Sequence, residues 1–102
     1  MTERTYVLVL DGGFAELERM RHYITSSSDF SAWWNYIPLV FLVESKLTAE
    51  AIGERLHELV PEARFLVTEV NLAESQGWLP ESSWKWIEKR AIATAPEQSS
   101  RF

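Results

Sequence analysis

An α+β fold built on one antiparallel sheet is what this sequence predicts, and three observations carry it. Short runs of β-branched and aromatic residues alternate with segments whose apolar residues recur at helical spacing. A proline, Pro38, divides the longest apolar run, Ala32 to Ser45, into two strand-length pieces. The resulting order is β-α-β-β-α-β-α. Two right-handed β-α-β units in one antiparallel sheet give the ferredoxin-like arrangement, here with an extra C-terminal helix.

Tyr6 to Leu10 is a continuous aliphatic and aromatic run, the pattern of a central strand buried on both faces. Asp11-Gly12-Gly13 breaks it, because glycine permits a sharp turn. A helix is predicted over about Phe14 to Thr25, with Phe14, Leu17, Met20 and Ile24 on its apolar side. Ser26 to Asp29 is a loop.

The central run then supplies a short strand, Trp33 to Ile37, and a longer one, Leu39 to Glu44. Pro38 cannot donate a ladder hydrogen bond, so the two form either a tight hairpin or one bent strand. Thr48 is an N-cap, with Leu47 and Ile52 placed as a hydrophobic staple. Ile52, Leu56, Leu59 and Val60 form the buried stripe of this second helix, and Pro61 ends it. Arg64 to Val70 is the last full strand. Asn71 to Gly77 is a polar loop, and Pro80 opens a third helix over about Glu81 to Ala91. Trp84, Ile87 and Ala91 are its apolar face. Residues 1–93 read as one domain, and 94–102 as a polar, disordered tail.

Composition narrows the function classes. The chain has 102 residues, enough for one core. It has no cysteine, so there is no disulfide framework, thiolate metal site or cysteine nucleophile. No apolar run reaches the roughly 18 residues of a membrane span. The Tyr6 to Leu10 run is too short for a signal-peptide core, so a cytoplasmic protein is expected. Net charge is −5 and the basic residues are scattered. Nucleic-acid affinity rests on neutralising phosphates, so this charge gives it no support.

Several stretches resemble a known family. Tyr6 to Asp11, the hairpin residues Trp34, Tyr36 and Phe41 to Val43, the strand Phe65 to Val70, and the ending G-W-L-P-x-x-x-W-x-W-I over Gly77 to Ile87 are similar to the small ferredoxin-like CRISPR-associated subunit of the adaptation complex. The resemblance is closer to its SinR-like relatives outside CRISPR loci, and it covers about residues 5 to 90. It implies a homodimer built on the sheet. For some members it also implies a Mg²⁺-dependent nuclease, with an Asp at the end of the first strand in each subunit. That position is Asp11 here. The chain departs from the pattern at Pro38-Leu39, where a polar pair is more usual.

Among the residues themselves, Asp11 is the foremost candidate for chemistry. With the first and third strands parallel, its end of the first strand lies near Glu44 and Ser45. It also lies near Arg64, at the start of the fourth strand. Asp11 and Glu44 would then hold Mg²⁺ through oxygen ligands. The plainer alternative makes Asp11 a helix cap or the partner of Arg64. Glu69 falls at the opposite end of the sheet. Gly12-Gly13 has neither dinucleotide-binding nor P-loop spacing. His22 and His57 lack ligand spacing and read as surface residues. The tryptophans have no basic groove beside them. Trp33, Trp34, Tyr36, Phe41, Trp78 and Trp84 therefore read as packing or dimer-interface residues.

The leading expectation is a small homodimeric interaction module without a cofactor. The first alternative is a Mg²⁺-dependent nuclease using Asp11 from two subunits. The second is a regulatory domain that binds a small ligand, which rests on fold-level analogy.

Overall fold

The computed structural model describes residues 2–94. The elements are β1 (Arg4–Asp11), α1 (Phe14–Ser26), β2 (Phe30–Trp34), β3 (Val40–Ser45), α2 (Ala49–Leu59), β4 (Arg64–Glu69) and α3 (Glu81–Thr94). The strands form one sheet in the order β2-β3-β1-β4, and every neighbouring pair is antiparallel. This is the ferredoxin-like α+β fold with a C-terminal helix added. Of the predicted tail, Thr94 closes α3, and the remaining residues lie outside the described ones.

Strand alternation divides the side chains into two cores. Tyr6, Leu8 and Leu10 of β1 and Phe41 and Val43 of β3 face α1 and α2. Met20 and Ile24 from α1, and Ile52 and Leu56 from α2, complete this layer. Val7, Leu42 and Trp34 point the other way, where Ile87, Trp84 and Trp86 of α3 pack on them. The Tyr6 to Leu10 run is thus covered on both faces with one gap. Val9, on the α3 side, is 41% exposed.

The helices begin and end largely where the sequence indicates. Thr48 caps α2, its hydroxyl accepting the Ala51 N–H at 3.1 Å. Glu16 accepts the Gly13 N–H at the start of α1. Two predicted core positions are corrected. Phe14, the first residue of α1, is 81% exposed, and Leu59, the last residue of α2, is also exposed.

The hairpin is real, but its first strand starts earlier than predicted. β2 ends at Trp34, so residues 35–39 form the connection. Asn35 explains the difference. Its side-chain amide donates to the carbonyls of Ile37 and Val40, both at 2.8 Å, and folds the chain back before Pro38. Arg21 of α1 donates to the Asn35 Oδ1 at 2.6 Å and holds that amide in place. A bulge between Phe30 and Ala32 interrupts the β2–β3 register.

Candidate functional site

Asp11 ends β1 on the α3 face, directly opposite Arg64. The Arg64 guanidinium donates through Nε (3.0 Å) and Nη2 (2.7 Å) to the same oxygen, Oδ2. Both side chains are largely exposed. Of the plain roles considered for Asp11, the structure shows the ion pair rather than the cap. Position N-cap of α1 belongs to Gly13.

Glu44 does not join Asp11. β3 runs antiparallel to β1, not parallel, so Glu44 pairs with Thr5 at the far end of the strand. Six positions of β1 separate it from Asp11, which is about 20 Å at the rise of a strand. The physical reason lies in the hairpin. β2 and β3 are joined by a tight turn, so β3 must reverse the direction that β1 and β2 share. Asp11 and Glu44 of one copy therefore do not fit a shared Mg²⁺ site. Among the described residues no group of three or more His, Cys, Asp or Glu is placed to hold a metal.

Glu44 instead anchors α3. Its Oε2 lies 3.6 Å from Nε of Arg90, and both side chains are mostly buried. The Arg90 guanidinium stacks over the Trp86 ring, 4.1 Å from its centroid. Thr5 is buried beside this pair, and its hydroxyl has no hydrogen-bond partner among the described residues. Glu69 lies at this same end of the sheet, opposite Tyr6, as the sequence predicts. A cleft of about 540 Å³ opens nearby, lined among others by Arg4, Thr5, Glu69 and Asn71.

A polar cluster that sequence reasoning missed ties the helices together. Asp29, just before β2, accepts from the Tyr23 hydroxyl at 2.5 Å and from Arg55 Nη1 at 2.8 Å. Its backbone N–H donates to Ser27, and its carbonyl accepts from Ser45 Oγ at 2.7 Å. The Tyr23 hydrogen bond, with help from Arg55, holds the Asp29 carboxyl below its usual range. Burial, together with the adjacent carboxylate, pushes the Tyr23 hydroxyl well above its usual value. The hydrogen bond that Arg55 donates to Asp29, followed by the charge of Asp29, raises Arg55. The only sequence signal for this cluster is a charged residue inside an otherwise serine-rich loop.

The residues expected at an interface are scattered. Phe41 is fully buried under α1 and α2, and Trp34 is buried under α3. Both are used in packing within the protomer, the first of the two roles considered for them. Trp84 is half-buried on the α3 face. Trp33 leans on Phe41 at the β2 edge and is part exposed, and Tyr36 is exposed in the hairpin turn. Trp78 is 100% exposed. His22 and His57 are exposed on their helices.

α3 leaves part of the sheet uncovered. Val9 and Leu66 are cross-strand neighbours on that face, and Val40 pairs with Val9 from the other side. Val9 and Leu66 are exposed, Leu66 by 58%, and Val40 is half-buried. Compared with family models, curated proteins and solved structures, the chain matches none.

Proposed function

We propose that the protein is a small homodimeric interaction module without a catalytic centre of its own. One observation carries this reading: the apolar strip of Val9 and Leu66, continued by the half-buried Val40, that α3 leaves open to solvent. Single exposed apolar side chains are ordinary, whereas contiguous ones favour a partner. The resemblance to the CRISPR-associated subunits and their SinR-like relatives implies such a dimer, and with it a cytoplasmic role in defence or mobile-element biology. A nuclease reading has less to stand on, since Arg64 already occupies the Asp11 carboxylate.

Light scattering across a concentration series tests the proposal. A dimer is expected at micromolar concentration, and Leu66→Glu is expected to shift it toward monomer with an unchanged circular dichroism spectrum. A wild-type chain that stays monomeric at high micromolar concentration would overturn it.

A further inference from the structure

The hydrogen bonds of the sheet identify which edge is open. Val70 N–H donates to the Thr5 carbonyl at 2.9 Å, so Thr5 and Val70 form a hydrogen-bonded pair. In an antiparallel ladder such pairs alternate. It follows from the register that Val7–Thr68, Val9–Leu66 and Asp11–Arg64 are also bonded pairs. The pairs Tyr6–Glu69, Leu8–Val67 and Leu10–Phe65 are not. On the other side of β1, Leu10 N–H donates to the Leu39 carbonyl, which independently assigns the even-numbered residues of β1 to β3. The backbone N–H and C=O of Phe65, Val67 and Glu69 therefore point away from the sheet. β4 is an edge strand, and no described strand lies beyond it.

The two edges of the sheet differ. β2 carries the Phe30/Ala32 bulge, a common device against edge-to-edge pairing. β4, RFLVTE, contains no proline, glycine or lysine and has no bulge in its register with β1. Its charges lie only at its ends.

We infer that two copies of this chain join through their β4 edges, antiparallel about a two-fold axis at Val67, to make one sheet that runs through both. This rests on the homodimer proposed above and specifies how it forms. In this register Val67 lies opposite Val67 of the second copy, and Phe65 lies opposite Glu69. Every outward N–H and C=O of these residues then finds a partner, and the two copies do so identically, as an isologous interface requires. A register centred on Leu66 leaves Glu69 unpaired, since its opposite position is Ala63, before the strand begins. On the α3 face the chosen register sets Leu66 against Thr68 of the second copy and brings the two Leu66 side chains into a diagonal pair. The two exposed strips become one. Glu69 meets Phe65 rather than a like charge.

Val67→Pro tests the pairing without touching the ladder to β1. The Val67 N–H points outward, and proline is tolerated at such edge positions. The variant should keep its circular dichroism spectrum and weaken dimerisation by about tenfold or more, through loss of the two central hydrogen bonds. Amide exchange on the wild-type chain gives a second readout that needs no mutant. Exchange at Phe65, Val67 and Glu69 should slow as concentration rises, while Leu66 and Thr68 stay protected throughout. A dimer that Val67→Pro leaves intact, or in which the three outward amides stay fast, overturns the edge pairing and leaves the homodimer standing. Equal protection at every concentration means that the edge is covered within one chain, which also overturns it. A monomer throughout removes the homodimer and the edge pairing together.

Discussion

At Thr5, chemistry and surroundings disagree. It is 1% exposed, its hydroxyl has no partner among the described residues, and it sits between Glu44 and the end of β4. A buried hydroxyl without a hydrogen bond costs about 1 kcal/mol or more. Valine has nearly the same shape and a higher preference for strands. Thr5→Val is therefore expected to stabilise the fold by about 1 kcal/mol, a rise in Tm of roughly 4–8 °C for a domain of this size. Thermal unfolding followed by circular dichroism checks it, and a lower Tm would mean that the hydroxyl has a partner after all. Nothing in the sequence marks Thr5, because an unpaired hydroxyl is a property of its neighbours. Asp11 is the contrasting case. Its pairing with Arg64 is legible, since adjacent antiparallel strands bring the end of one to the start of the other. Its pairing with Glu44 fails on the same rule, applied to a strand given the wrong direction.

The elements were legible wherever local chemistry decides them. Thr48, Pro61 and Pro80 mark helix ends through backbone hydrogen bonds and fixed φ, and these marks hold. The hairpin was legible as a break at Pro38, but the strand boundary was not. Asn35 sets that boundary through bonds to residues two and five positions on and to Arg21 on α1. The role of α3 belongs to this scale. With Leu72 and Leu79 of the preceding loop, it covers the second face of the sheet, through Ile87 on Trp34 and Leu42 and through Arg90 on Glu44. Ile87→Ala is expected to cost about 2–4 kcal/mol, as burial in a close-packed cluster implies. Trp78 precedes the same helix but touches solvent on all sides, so Trp78→Ala should stay within about 0.5 kcal/mol. Urea unfolding of the two variants separates these expectations. A small loss for Ile87→Ala would show that α3 contributes little to the fold.

At the scale of the molecule, the Tyr23–Asp29–Arg55 cluster joins α1, the entry to β2 and α2, so its titration bears on the stability of the whole fold. The signs follow from the directions of the shifts. The Asp29 carboxyl is held below its usual range, so its contribution is present above about pH 4, where the unfolded chain is ionised. That contribution is lost as pH falls through the lower folded value. The Tyr23 hydroxyl is raised, so its contribution is complete below about pH 10 and declines as pH climbs above that, toward the folded value. Between these flanks the cluster is fully formed, with a neutral phenol donating to a carboxylate. Tyr23→Phe removes the donor without changing the ring that packs edge-on against Phe30. At neutral pH it should cost about 1.5 kcal/mol, the scale of a hydrogen bond to a charged group. Above about pH 10 the gap between wild type and variant should narrow, because only the wild type loses this contribution. The gap should narrow again below about pH 4, since the Tyr23 bond is the largest cause of the Asp29 shift. Urea midpoints for both proteins across this range decide the matter. A gap that stays constant with pH would place the phenol and the carboxylate apart in solution, and the junction of the two helices would then rest on apolar packing alone.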